Sequence, residues 1–294
     1  MTSILTNTSA MSALATLRGV YANLADTQDR VSSGYRVGKA ANNVAYWSIS
    51  TTMSSDNKAI NAAKDALGVG AAKVDTAYAA TESAIDVVNE IKAKLVTASE
   101  NSTDKDQIQL EIAKLQEQLS AIARAASFAG ENWTISDANS STEGKVVDGF
   151  IRVDSGAVKI STAGYNIESY AMFATVSAGG VGSGGLLDDV MNVTLTSATD
   201  QTAIDDFLDD VEAALSSLTD SGAALGALIT RIDLQDEFAA KLSDSIESGV
   251  SRLIDADMEE ESAKLSALQT QQQLAIQSLS IANSSSQNIL SLYQ

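Results

Sequence analysis

Gly180-Val-Gly182-Ser-Gly-Gly185 spells G-x-G-x-x-G, the glycine spacing that lets a backbone turn tightly under a dinucleotide pyrophosphate. A candidate strand, Tyr170–Val176, precedes it, and Asp205 stands twenty residues past Gly185, where a ribose-binding carboxylate would lie. The fingerprint also needs a crossover helix and further βαβ units. Leu186–Leu195 is too short for that helix and no such units follow, so a flexible Gly/Ser loop is favoured over a dinucleotide-binding enzyme. Adjacent carboxylates at Asp188-Asp189, Asp205-Asp206 and Asp209-Asp210 offer weak divalent-cation binding at most. Neighbours in sequence point to different faces of a helix, so solvated helix starts and faces account for them. The chain has no His and no Cys, which removes Ser-His-Asp and Cys-His catalysis, the HExxH zinc motif, thiolate metal sites and disulfides. Six N-x-S/T triplets, Asn101 and Asn132 heading two of them, are expected by chance in a chain this rich in Asn, Ser and Thr. No catalytic residue, cofactor or metal ligand is nominated, and the reading is of a protein that is not an enzyme.

The elements around these residues are more informative. Length 294 allows one or two domains. There is no Pro, against about fifteen at average usage, and proline breaks helix interiors, so long uninterrupted helices are expected. Aromatic residues make up only 5%, which suits helix-on-helix packing. The net charge of −19 argues against nucleic acid, whose binding rests on neutralising phosphates, and against an anionic membrane surface. That charge is unevenly spread. Residues 1–17 and 265–294 carry none, and the last thirty residues mix thirteen apolar side chains with seventeen Gln, Ser, Asn or Thr. The mixture is too polar to span a membrane and too uncharged for an ordinary solvated helix face. Both ends therefore read as polymer-forming surfaces.

Leu14, Leu17, Tyr21, Leu24, Gln28, Val31 and Tyr35 alternate spacings of three and four, the seam of a coiled coil. Ser33-Gly34 and Gly38 then mark a turn. A second helix is expected from near Val44 to about Ala98, with Ile85, Val88, Ile91 and Leu95 on one stripe. Thr103 is the expected cap of a third, with Asp106 in its first turn and a stripe of Ile108, Ile112, Leu115, Leu119, Ile122 and Ala126. Nine of the eighteen glycines fall in 144–185 among short runs such as Phe150–Val153 and Ala157–Ile160, the pattern of a small strand-and-turn region. Helical periodicity returns by Asp200 (Ile204, Phe207, Leu208, Val211, Leu215, Leu218) and continues to the end, with Gly222, Gly226 and Gly249 as weak points. Leu265, Leu268, Gln272, Ala275, Leu279, Ala282, Ser286, Ile289 and Tyr293 repeat the three–four spacing. The expected fold is mainly α: long antiparallel coiled-coil-like helices from both chain ends, with a small β-rich insert between them. No basic n-region and apolar h-region open the chain, so a cleaved secretory signal is not expected.

Arg30-Val-Ser-Ser-Gly34-Tyr-Arg36, then Ala40-Ala-Asn-Asn43 and Ser48-Ile-Ser50, resemble the N-terminal signature of bacterial flagellins. Gly226-Ala227 with Arg231, then Ser251-Arg-Leu-Ile-Asp255-Ala-Asp257-Met258-Glu259, the Gln271–Gln273 run and Asn288–Leu292, resemble the C-terminal one. The resemblance covers roughly 1–135 and 205–294, and its short insert is closest to alphaproteobacterial flagellins. Asn42-Asn43 depart where acidic residues are common, and Tyr46-Trp47 where Gly and a small apolar residue are common.

The resemblance implies an inner helical core domain from 1–40 and 250–294, an outer helical domain from 41–136 and 200–249, and a variable insert at 137–199. It implies a subunit exported through the flagellar type III apparatus, whose ends are largely disordered in the monomer and fold on assembly into an extracellular filament. The expected partners are further copies of itself, possible other flagellins, an export chaperone, and cap and hook-junction proteins, with no nucleic acid or membrane. Expected assembly residues are Leu14, Leu17, Tyr21, Leu24, Val31, Arg36, Arg252, Asp255, Asp257, Leu265, Leu268, Leu279 and Ile289, with Arg36 bridging carboxylates. A hook–filament junction protein and a secreted coiled-coil needle or translocator component are the close alternatives. Family members seen by the host's innate receptor carry an Arg-Glu-Leu patch. The matching positions here are Asn89-Glu90-Ile91, so the arginine is missing and weak recognition is expected.

Overall fold

The computed structural model describes residues 7–100, 102–136, 142–153, 158–177 and 180–291, with side chains given through 284. Seven helices and three two-stranded antiparallel sheets are found among the described residues. The chain divides into two compact units, one reaching to Asn57 and resuming at Asp244, the other Lys58–Ser243.

In the first unit, α1 (Thr8–Ser33) packs on α7 (Met258–Ser291). The Asn7 side chain caps α1 by accepting from the Ala10 N–H, and Gly34, at φ 75°, ends it with an N–H bond to the Arg30 carbonyl. Glycine is favoured there because a Cβ is strained in the left-handed region. α2 (Val44–Ala98) and α6 (Gln201–Ile254) are 55 and 54 residues long. α2 has the bounds its composition predicts. Their turns nearest this unit's loops meet where the Met53 side chain comes 3.0 Å from the position a Cβ on Gly249 would take. α6 does not continue to the chain end. It stops before Asp255-Ala-Asp257, where Tyr35 and Asp255 form a bridge and the Asp257 carboxylate caps α7 by accepting from the N–H groups of Glu259 and Glu260.

The second unit has two apolar cores. One joins α2, α6 and α3 (Lys105–Ala125), with Ile91, Leu95, Ile112, Leu119, Ile204 and Leu218 fully or almost fully buried. The α3 stripe is buried or half-buried as its spacing predicts. Its cap is Asp104 rather than Thr103. The Asp104 carboxylate accepts from the N–H groups of Asp106 and Gln107, while the Thr103 hydroxyl donates backward to the carbonyls of Thr97 and Glu100. Gly222 and Gly226 do not interrupt α6. A Cβ at either would lie 3.8 Å from Thr81 and 3.9 Å from Tyr78, ordinary contact distances, and α6 runs straight through both.

The other core lies under a hairpin of β3 (Glu143–Arg152) and β4 (Val158–Asn166). The two alternating runs predicted as strands pair here, Phe150 opposite Ile160 and Ile151 opposite Lys159. A bulge between Val147 and Gly149 turns Asp148 inward, where both of its carboxylate oxygens accept from Arg231 at 3.2 and 2.6 Å. Trp133, Val146, Tyr165, Leu67, Val74, Leu225 and Leu228 fill this core, with the Trp133 and Tyr165 rings stacked at 5.8 Å. The short pieces are β1 (Ser127–Phe128), β2 (Glu131–Asn132), α4 (Ile167–Tyr170), β5 (Thr175–Val176), β6 (Gly182–Ser183) and α5 (Asp188–Asn192). Tyr170–Val176 is thus not one strand. The Asn166 side chain caps α4, and Met172 and Phe173 turn inward as buried plugs. Within this stretch Thr175–Val176 pair with β6, and Phe173 forms an isolated bridge with Ile135.

Candidate assembly surface

The α1–α7 pair is the place to look for assembly chemistry, because its residues meet few charges. The helices run antiparallel: the Asn7 side-chain N–H donates to the Ala282 carbonyl at 3.0 Å, and Arg30 meets Glu261 at 3.2 Å. On α7 the seam is the predicted one. Leu265, Leu268, Gln272, Ala275, Leu279 and Ala282 are each half-buried while the residues between them are exposed. The side chain of Ile289 lies outside the described residues.

On α1 the register differs from the expectation. Leu17 and Leu24 are buried and Val31 is half-buried, but the alternate seam positions belong to Val20 and Thr27. Leu14 and Tyr21 are 37% and 47% exposed and lie on another face with Met11. Two three–four stripes share Leu17, Leu24 and Val31, and only one can face a single partner helix. α7 leaves Leu274, Ile276 and Ile281 outward in the same way. The isolated chain therefore presents large apolar side chains on both helices of an uncharged tract, a surface that rarely stays bare.

The two signature turns come together at the base of this pair. The N–H groups of Arg36 and Val37 bond the Ile254 carbonyl at 2.7 and 3.1 Å, and the Ala256 N–H bonds the Gly34 carbonyl at 2.9 Å. Among the described residues Arg36 bridges no carboxylate. Its guanidinium donates to the Leu253 carbonyl at 3.0 Å and lies 5.9 Å from the centre of the Tyr46 ring. The Asp257 carboxylate serves as the α7 cap, and Asp255 is held through its backbone in the bridge to Tyr35. Arg252, in the last turn of α6, is exposed. Sequence reasoning missed the Arg30–Glu261 pair. Glu261 is buried in the first turn of α7, and Lys264 reaches the same oxygen at 3.5 Å while bonding Glu260 at 2.8 Å. The hydrogen bond to Glu260, and less the Glu261 charge, raise the Lys264 ammonium above its ordinary pKa. No sequence spacing signals the Arg30–Glu261 pair, because its members lie 231 residues apart.

The glycine motif is structural. A Cβ on Gly182 would lie 2.4 Å from the Phe173 ring, and one on Gly185 2.8 Å from the carbonyls of Ala171 and Met172. The Gly182 N–H donates to the buried Ser120 hydroxyl at 3.1 Å. The helix that follows has five residues and the pairing is antiparallel, so no dinucleotide crevice exists at Gly180, Gly182 and Gly185. Among the described residues there is no group of three potential metal-ligating side chains, and no helix is long and apolar enough to cross a membrane. Asn89 and Glu90 are exposed on α2, but Ile91 is fully buried and cannot belong to a surface patch.

With this geometry in view, residues 4–137 match the bacterial flagellin N-terminal helical region and residues 208–293 the C-terminal helical region. Over the full length of both chains, identity is 48% to flagellin C of Rhizobium meliloti strain 1021, 43% to flagellin A of Rhizobium meliloti and 45% to a flagellin of Brucella melitensis biotype 1. Paired end helices with uncharged outer tracts, the two signature turns at their base and these end-to-end similarities agree: the chain belongs to the bacterial flagellin family.

Proposed function

We propose that this chain is a structural subunit that polymerises into the extracellular flagellar filament, with α1 and α7 as its inner, polymer-forming part. The observation that carries the reading is the two-sided apolar character of that pair: Met11, Leu14 and Tyr21 on α1, and Leu274, Ile276 and Ile281 on α7, stay exposed after the helices have packed on each other. Faces that differ around one subunit make heterologous contacts that do not close, which yields an open helical polymer. In this reading the inner core domain takes 1–40 and 250–294, the outer domain 41–136 and 200–249, and 137–199 form the variable insert.

Export through the flagellar type III apparatus, an export chaperone, and cap and hook-junction partners belong to the same proposal. Full-length similarity runs to proteins named flagellin and lends no support to the junction, needle or dinucleotide readings. The missing arginine at Asn89 supports weak recognition by the host's innate receptor. Electron microscopy of the purified full chain after seeding tests the filament reading. Long filaments are the expected outcome, and a persistently monomeric chain would count against it.

A further inference from the structure

We infer that the start of α2, Val44–Ile49, is a contact surface for a second copy of this chain, separate from the outward faces of α1 and α7. The inference rests on the filament reading and adds a named contact to it. Lys39 and Asp56 bracket a tract, 40–55, of sixteen residues without a charge. A longer uncharged tract, 169–187, commits its apolar residues to the core, where Ala171, Met172, Phe173 and Leu187 are buried. The tract 40–55 does not. Tyr46 and Trp47 are each 39% exposed, and Val44, Ala45, Ser48 and Ile49 are exposed with them. Six consecutive helical residues pass more than once round the axis, so this end of α2 is bare on every side. Ser50 is the first buried residue of the helix.

The exposed turn is held in place as helix. The Asn43 side chain accepts from the Tyr46 N–H at 3.1 Å, and its carbonyl accepts from the Trp47 N–H at 3.0 Å. The Arg36 guanidinium lies 5.9 Å from the centre of the Tyr46 ring. A helix segment that is uncharged and apolar all round is ordinarily covered. Tyr, Trp and Arg are also the residue types that dominate interface energies, and Arg36, Tyr46 and Trp47 supply all three. Charge selects the occupant. At a net charge of −19, two copies repel wherever acidic faces meet, so they approach most easily at uncharged tracts. The tract is also continuous with the assembly surface. It follows directly on the turn in which the Arg36 and Val37 N–H groups bond the Ile254 carbonyl, at the base of α1 and α7.

The readout is made in the filament, so it does not depend on how the chain ends behave in the free subunit. The chain has two tryptophans and Trp133 is 3% exposed, so quenching of fluorescence by acrylamide reports on Trp47. Folding within one subunit leaves Trp47 accessible, and only a neighbour can cover it further. In filaments of the full chain, emission should shift to the blue and quenching should fall to the level of a buried tryptophan. Trp47→Ser should raise the critical concentration for seeded polymerisation about tenfold or more, with melting of the Lys58–Ser243 unit unchanged. Ser48→Asp tests the same surface without removing an apolar side chain. A carboxylate in the first turn favours the helix, yet it buries an unpaired charge if a copy covers it. Its critical concentration should therefore rise as well. Filaments in which Trp47 stays open to acrylamide, or either variant polymerising at the parent concentration, overturn the inference and leave the patch to a partner outside the filament. A full chain that never polymerises would instead remove the filament reading, and this inference with it.

Discussion

Gly182 shows how a residue pattern can imitate chemistry for reasons of packing. Its glycine is required by the Phe173 ring, which is fully buried and has little room to move. Gly182→Ala should overpack this site and destabilise the Lys58–Ser243 unit by about 1–3 kcal/mol, read as a lower midpoint in thermal or urea unfolding. An unchanged midpoint would show that Phe173 yields freely. Tyr165 carries a second residue-scale consequence. Burial pushes its phenol up to about 12, offset partly by the hydrogen bond with Ser221 at 2.9 Å. The folded form thus holds the proton more tightly than the unfolded form, so the contribution is complete below about pH 10 and is lost as pH rises towards 12. Unfolding midpoints measured across about pH 9–12 should fall in the parent and fall less in Tyr165→Phe; equal slopes would remove Tyr165 as the cause. Asn89 is the third case. It is exposed on α2 beside Glu90, and an interface arginine often contributes about 2 kcal/mol or more. Receptor-reporter cells should respond weakly to the monomer and partly recover with Asn89→Arg. Full stimulation by the parent refutes the argument.

At the scale of elements, legibility followed how many solutions a pattern allowed. The α3 stripe admits one main apolar face, and on α7 the regular three–four spacing singles out the covered stripe although Leu274, Ile276 and Ile281 lie outside it; both were readable residue by residue. α1 carries two stripes, and choosing the larger side chains, Leu14 and Tyr21, selects the outward one over Val20 and Thr27. Size reports where apolar surface is, not which partner covers it first. The α6–α7 break was hidden for a different reason: no Gly or Pro marks it, and Asp255 and Asp257 read as ordinary acidic residues until a neighbouring turn engages them. The Arg30–Glu261 pair was likewise invisible, since residues 231 apart reveal no pairing by spacing. The cap makes this checkable. Asp257→Ala removes the acceptor for the Glu259 and Glu260 N–H groups and should cost about 1 kcal/mol of helix stability. Hydrogen exchange in the first turn of α7 should quicken, with α3 unaffected; equal protection in both variants would mean that packing alone holds the turn.

On the scale of the whole molecule, charge and core divide the work. The Lys58–Ser243 unit contains both apolar cores, so its stability does not rest on the chain ends. The last thirty residues, about 45 Å long as a helix, contribute no charge and expose Leu274, Ile276 and Ile281. Their burial must come from other helices, first α1 and then neighbouring subunits. Removing 265–294 takes away one polymer-forming stripe and uncovers the seam of α1 as well. The truncated chain should therefore fail to polymerise on seeds, by sedimentation and electron microscopy, while keeping a cooperative melting transition from its Lys58–Ser243 unit. Filaments at normal yield would sink the assembly role of this tract. Loss of the melting transition would instead show that the tract supports folding of the chain as a whole, and the two failures are distinguishable in one preparation.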